Sequence, residues 1–104
     1  SRDPKAMALN NIGAAQLELG RLDQAESAFR EALAADPQYP IPHYNLAVLS
    51  EVRGDSLASR EHASEAVVLG YERAVSDRII QAAGALLARI EGRGSGPEVS
   101  SADA

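Results

Sequence analysis

Cysteine and tryptophan are absent from the 104 residues, and aromatic side chains make up only 4% of them. Without cysteine the chain has no disulfide framework, no thiolate metal site and no cysteine nucleophile. With so few rings, the interior must be built from small side chains in close contact, and 20 alanines supply them. That composition favours helices. Positive charge is also short, because ten Lys and Arg stand against 15 Asp and Glu, giving a formal net charge of −5. An acidic chain is poorly matched to nucleic-acid phosphates or anionic lipid headgroups, so neither is expected as a partner. No apolar run approaches the roughly 18 residues of a membrane span, and the N-terminus lacks the basic and apolar regions of a secretory signal. Membrane insertion is not expected. Localisation stays open with the cytoplasm as the default, and the start at Ser1 fits a trimmed chain or an excised domain. What is present, 45% hydrophobic residues in a chain of this length, suits one domain rather than two.

The strongest internal signal is a repeat with a period of about 34 residues. Asn11 and Asn45, Gly20 and Gly54, Glu31 and Glu65, and Ala32 and Ala66 are identical pairs at one common separation. Ile12 with Leu46 and Leu33 with Val67 fall in the same register as conservative pairs. From Lys5 to Leu19 the residues Ala8, Leu9, Ile12, Ala15 and Leu19 recur at three- and four-residue spacing, which predicts a helix with those side chains inward. Gly20 ends it, and Asp23 with Glu26 three positions on reads as the capping box of a second helix over about 23–35. That helix turns Ala25, Ala28, Phe29, Ala32 and Leu33 inward and stops at Asp36-Pro37, because the residue before proline is pushed out of the helical region. Gly13, Ala25 and Ala32 allow the two helices to approach closely, with Phe29 filling the space beyond.

A third helix over about 41–53 begins after Pro40, carries Pro42 in its first turn and closes at Gly54. Leu46, Leu49 and His43 form its inward face. Asp55 or Ser56 then caps a fourth helix, carried by Leu57, Ala58, Ala63, Ala66, Val67 and Leu69. A fifth segment, about 73–91, shows Val75, Ile79, Ala83, Leu86, Leu87 and Ile90 at helical spacing with no helix after it, as expected of a terminal cap. Residues 92–104, GRGSGPEVSSADA, have no periodicity and read as a disordered tail.

Residues 6–39 resemble the tetratricopeptide repeat, a helix–turn–helix unit of about 34 residues. Leu9 stands in the usual Trp position, Ile12-Gly13 in the Leu-Gly position and Gln16 in the Tyr position. Ala25, Phe29, Ala32 and Pro37 match the rest of the pattern. Residues 40–73 form a degenerate second copy, with His43 in the Trp slot, Leu46-Ala47 in the Leu-Gly slot, Ser59 and Ala63 in the Ala and Phe slots, and Tyr71 where the closing proline belongs. The resemblance implies an all-α fold of antiparallel helix–turn–helix repeats: two units plus a C-terminal capping helix over 73–91, in a right-handed superhelical array spanning 1–91.

The residues offer little for catalysis, so no enzyme activity and no cofactor is expected. His43 and His62 lie on different predicted helices with no carboxylate-rich cluster at metal-ligand spacing. No Gly-x-Ser-x-Gly turn presents a serine, and GRGSG lacks the strand, the Lys-Ser/Thr ending and the helix of a phosphate loop. Glu18, Asp23, Glu26, Glu31 and Asp36 are spread along solvated faces rather than paired for acid–base work.

The resemblance implies a protein–protein interaction module whose first helix in each repeat lines a concave groove. Carried over by position, that groove consists of Met7, Asn10, Asn11, Ala14 and Leu17, then Ile41, Tyr44, Asn45, Val48 and Glu51. Val75, Arg78, Ile79 and Ala82 follow from the fifth segment. Asn11 and Asn45 can grip a peptide backbone through donor and acceptor, or be simply solvated, or serve as structural hydrogen bonds between helices. Tyr44 can supply aromatic area with a polar tip to a partner, or pack within the fold. Some members hold a peptide carboxylate with lysines, an arginine and asparagines. Here Asn10 and Val75 take the lysine positions and Ile79 the arginine position, leaving Asn45 alone. An apolar or amphipathic peptide or protein is the expected partner. The alternative is a structural segment that self-associates, because two and a half repeats fall short of the roughly three that make an independent array.

Overall fold

Asp3 opens the first helix by accepting hydrogen bonds at Oδ1 from the N–H groups of Lys5, at 2.9 Å, and Ala6, at 3.4 Å. Pro4 follows at a position whose missing N–H costs nothing. In a computed structural model that describes residues 1–90, the chain forms four helices: α1 (Pro4–Glu18), α2 (Leu22–Ala35), α3 (Pro40–Val52) and α4 (Ser56–Ile90). No strand occurs among the described residues, and the fold is all-α. The expected tail, 92–104, and the side chains of Leu87 and Ile90 lie outside the described residues.

Helices α1 and α3 close with the same motif, one repeat apart. Gly20, at φ +76°, donates to the Leu17 carbonyl at 3.0 Å while Arg21 donates to that of Gln16 at 2.9 Å. Gly54, at φ +80°, donates to Glu51 at 3.0 Å while Asp55 donates to Ser50 at 2.8 Å. Both glycines take the left-handed conformation that a Cβ disfavours, and four otherwise orphaned groups are satisfied. The expected capping box at Asp23 and Glu26 does not form. The closing motif leads directly into α2 at Leu22, so Asp23 falls within the first turn, where it complements the helix dipole. Asp23 and Glu26 reach instead for Arg53. At the start of α4, Asp55 rather than Ser56 is the cap, its Oδ1 accepting from the N–H of Ala58 at 3.1 Å.

The chain divides into two compact units, Ser1–Tyr71 and Glu72–Ala104. In the first, α1 packs on α2, α2 on α3, and α1 also meets α3. Ala25 and Phe29 from α2 with Leu46 and Leu49 from α3 form its core, and Leu17 and Leu33 pack against it. Phe29 lies against Gly13 so closely that a Cβ there would stand 2.5 Å from the ring. The inward face of α1 therefore differs from the sequence expectation. Ala6, Asn10 and Gly13 are buried, Leu9 is half-buried, and Ala8, Ile12, Ala15 and Leu19 are exposed. Periodicity marks the apolar stripe, but the contact with α2 selects the smallest side chains, and Asn10 enters because α3 satisfies it. Ile12 corresponds, one repeat on, to Leu46, which α2 covers, whereas among the described residues no helix covers Ile12.

The fourth and fifth predicted helices are a single helix, α4. Gly70 alone costs a helix about 1 kcal/mol relative to alanine, and Tyr71 stands where Pro37 ends the first repeat, so no breaker separates 69 from 73. Within the first unit α4 buries Leu69, half-buries Ala58, Ala63 and Ala66, and exposes Leu57 and Val67. In the second unit, Val75 is half-buried, and Ile79, Ala83 and Leu86 are exposed.

Candidate partner-binding cleft

Helices α3 and α4 border an open cleft of about 560 Å³ lined by Tyr44, Ala47, Val48, Glu51, Val52, Ser59 and Ala63. The first five come from successive turns of one side of α3, and α4 supplies the two small residues Ser59 and Ala63. Tyr44 is 58% exposed and Val48 half-buried, so an aromatic face and a β-branched side chain are both open to a partner. Glu51 is the single charged group of the lining.

Of the expected groove residues, Tyr44 and Val48 meet in this cleft, together with Glu51. Ile41 is exposed one turn before Tyr44, and Asn11 is exposed on α1. Ala14 is half-buried. Asn10 and Asn45 hold each other: Nδ2 of Asn45 donates to Oδ1 of Asn10 at 3.0 Å, and Asn10 is only 5% exposed. Their amides are used inside the fold, and Leu17 is likewise engaged by the core. Arg78 is an exposed residue of the second unit.

Two clusters escaped the sequence. Arg53, just beyond α3, donates from Nη1 to Oε1 of Glu26 and from Nη2 to Oδ1 of Asp23, both at 2.6 Å, while Arg30 donates to Oε2 of Glu26 at 3.0 Å. The Arg53 and Arg30 hydrogen bonds hold the Glu26 carboxyl below its ordinary pKa, and the bond to Glu26 raises that of Arg53. Nothing in the spacing of 23, 26 and 53 announces this clamp. His43 and His62 meet across α3 and α4 with ring centroids 5.9 Å apart. Burial lowers the pKa of His43, whose Nδ1 has no hydrogen-bond partner among the described residues. No group of three or more metal-binding side chains occurs among the described residues. No described helix is long and apolar enough to cross a membrane.

A second hollow, about 410 Å³, lies on the other side of α1 and α2. Its lining includes Leu9, Ile12, Gln16, Gln24 and Ala28, and Oε1 of Gln16 is buried without a partner among the described residues. Leu9, Ile12 and Gln16 occupy the Trp, Leu and Tyr positions of the repeat pattern.

In the comparisons with known proteins, no curated protein and no solved structure matches the chain. The family model of the tetratricopeptide repeat matches residues 6–39, the span of α1, α2 and their closing Asp36-Pro37, so this segment is similar to that repeat.

Proposed function

We propose that the chain is a non-enzymatic interaction module that receives an apolar or amphipathic segment of a protein partner along α3. Tetratricopeptide repeats are in general protein–protein interaction modules and typically scaffolds rather than enzymes. The observation that carries the reading is the open cleft, where exposed Tyr44 stands beside Val48 over Ala47 and Ala63. Tyrosine at the edge of a small-residue hollow gives a partner a large rigid contact at low entropic cost. The lining is mostly apolar, which suits leucine, isoleucine or aromatic anchors better than a carboxylate terminus.

The test compares capture of proteins from a lysate of the source organism by the native chain and by a Tyr44→Ala, Val48→Ala variant. Both must give the same circular dichroism. A protein retained by the native chain and lost by the variant supports the reading, and equal retention by both overturns it. Asn45→Ala is unsuited to this purpose because it breaks the hydrogen bond to Asn10. A second reading, assembly with its own kind, is favoured by Ile79, Ile80 and Leu86, which leave the second unit with three large apolar side chains exposed.

A further inference from the structure

The α3–α4 cleft has a filled counterpart in the same molecule. Moved back by one repeat, its lining of Tyr44, Ala47, Val48, Glu51, Val52, Ser59 and Ala63 becomes Asn10, Gly13, Ala14, Leu17, Glu18, Ala25 and Phe29. That surface of α1 and α2 is where α3 lies. Asn45 bonds to Asn10, and Leu46 and Leu49 pack with Ala25, Phe29 and Leu17. The open cleft is therefore the hollow of one helix whose seat, one repeat earlier, is occupied.

The chain also carries a helix in the matching register. Moved forward by one repeat, Asn45, Leu46 and Leu49 become Ile79, Ile80 and Ala83. Ile79 and Ile80 are 63% and 67% exposed, so both the seat and the side chains that fit it are uncovered. The polar pair Asn10–Asn45 becomes the pair Tyr44–Ile79, an aromatic face against a β-branched side chain. Leu46 over Ala25 and Phe29 becomes Ile80 over Ser59 and Ala63. The charges of the two segments are opposite in sign. Residues 72–90 hold Arg73, Arg78 and Arg89 against Glu72 and Asp77, whereas residues 40–71 hold Arg53 and Arg60 against Glu51, Asp55, Glu61 and Glu65.

We propose that two copies of this chain associate by exchange, residues 72–90 of each seated in the α3–α4 cleft of the other, with Ile79 against Tyr44 and Ile80 over Ser59 and Ala63. Each copy gives one helix and receives one, so the contact closes as a two-fold dimer and leaves neither a cleft nor a helix over. The inference rests on the reading that the cleft takes an apolar segment, and names that segment.

Sedimentation equilibrium of the full chain tests the mass, and mixed single-cysteine variants test the geometry, since the native chain has no cysteine to interfere. The expected mass is twice 10.9 kDa. Tyr44→Cys mixed with Ile79→Cys should give a disulfide between the two chains under mild oxidation, and Tyr44→Cys mixed with Ala74→Cys should not. Ile80→Asp, at an exposed position that leaves each copy folded, should weaken the dimer by roughly a hundredfold, because the charge is buried on association. A monomer at micromolar concentration overturns the proposal. So does a dimer without the 44–79 crosslink, or a Tyr44→Cys, Ile79→Cys double variant that closes its disulfide within one chain. A monomer that still loses a captured partner on Tyr44→Ala sinks the exchange and leaves the interaction module standing. A dimer formed through the cleft that captures nothing else identifies the second copy as the partner.

Discussion

Asn45 on α3 donates its Nδ2 hydrogen to Oδ1 of Asn10 on α1 at 3.0 Å, across 35 positions of sequence, and so joins the first helices of the two repeats. Asn10 is buried, and its oxygen has given up water for this bond. Asn45→Ala should cost about 1–3 kcal/mol, the penalty of an unsatisfied buried acceptor. Asn11→Ala, on the exposed side of α1, should change stability by less than about 0.5 kcal/mol. Urea unfolding of the full chain measures both. Similar small effects at the two positions would show that the bond is not structural.

Gly13 and Phe29 give the second prediction. An added Cβ would meet the ring at 2.5–3.0 Å on three atoms, and Phe29 is fully buried. Gly13→Ala should therefore destabilise by about 1–3 kcal/mol, although alanine is the better helix former. Combining it with Phe29→Leu should cost less than the two changes added, since the smaller side chain relieves the clash. An additive result in denaturant titration would show that the overlap is absorbed elsewhere.

The same two residues show why the repeat is legible in the sequence while the face of α1 is not. The closing glycines, Asp36-Pro37, and the order of small and large residues at 13, 25, 29 and 32 report local geometry that each residue type carries with it. Which side of α1 is covered depends on what lies against it. Ile12 and Leu46 are equivalent in sequence, yet α2 covers Leu46 alone, and Asn10 is buried only because Asn45 arrives from 35 positions away. The cleft is half legible. Tyr44, Val48 and Glu51 follow from the repeat register, but Ser59 and Ala63 enter through the packing of α4, and Asn10, Asn45 and Leu17 are claimed by the interior. The continuity of α4 is hidden because a lone Gly70 resembles the glycines that close α1 and α3. It lacks their left-handed backbone.

Arg53 ties the end of α3 to Asp23 and Glu26 on α2, with Arg30 on the other oxygen of Glu26. All of these groups are partly or fully in contact with solvent, so the clamp should be salt-sensitive. Arg53→Met should lower the urea midpoint at low salt and leave it nearly unchanged at molar salt. Arg53→Lys should restore only part of the loss, since an ammonium lacks the planar fork that reaches both carboxylates. Glu26, whose pKa is held below the ordinary 4.5, contributes stability that is present above that value and lost as pH falls through the lowered one. Glu26→Gln should abolish that acid-limb loss. An unchanged acid limb in the variant would contradict the assignment.

His43 sets a second, higher window. Burial holds its imidazole below the ordinary 6.5, opposed by Glu65 and reinforced by His62 and Arg30. A histidine kept neutral in the folded state binds its proton more readily when the chain unfolds. Stability is therefore greatest above pH 6.5, falls as pH drops through that value, and levels off once the folded form is protonated as well. His43→Leu removes the proton site and the unpartnered Nδ1 together, so the variant should be at least as stable as the native chain near neutrality. Its urea midpoint should stay flat where the native one declines. Measuring that midpoint from about pH 8 to about pH 5 for both proteins checks the assignment. A decline that persists undiminished in His43→Leu would overturn the assignment to His43.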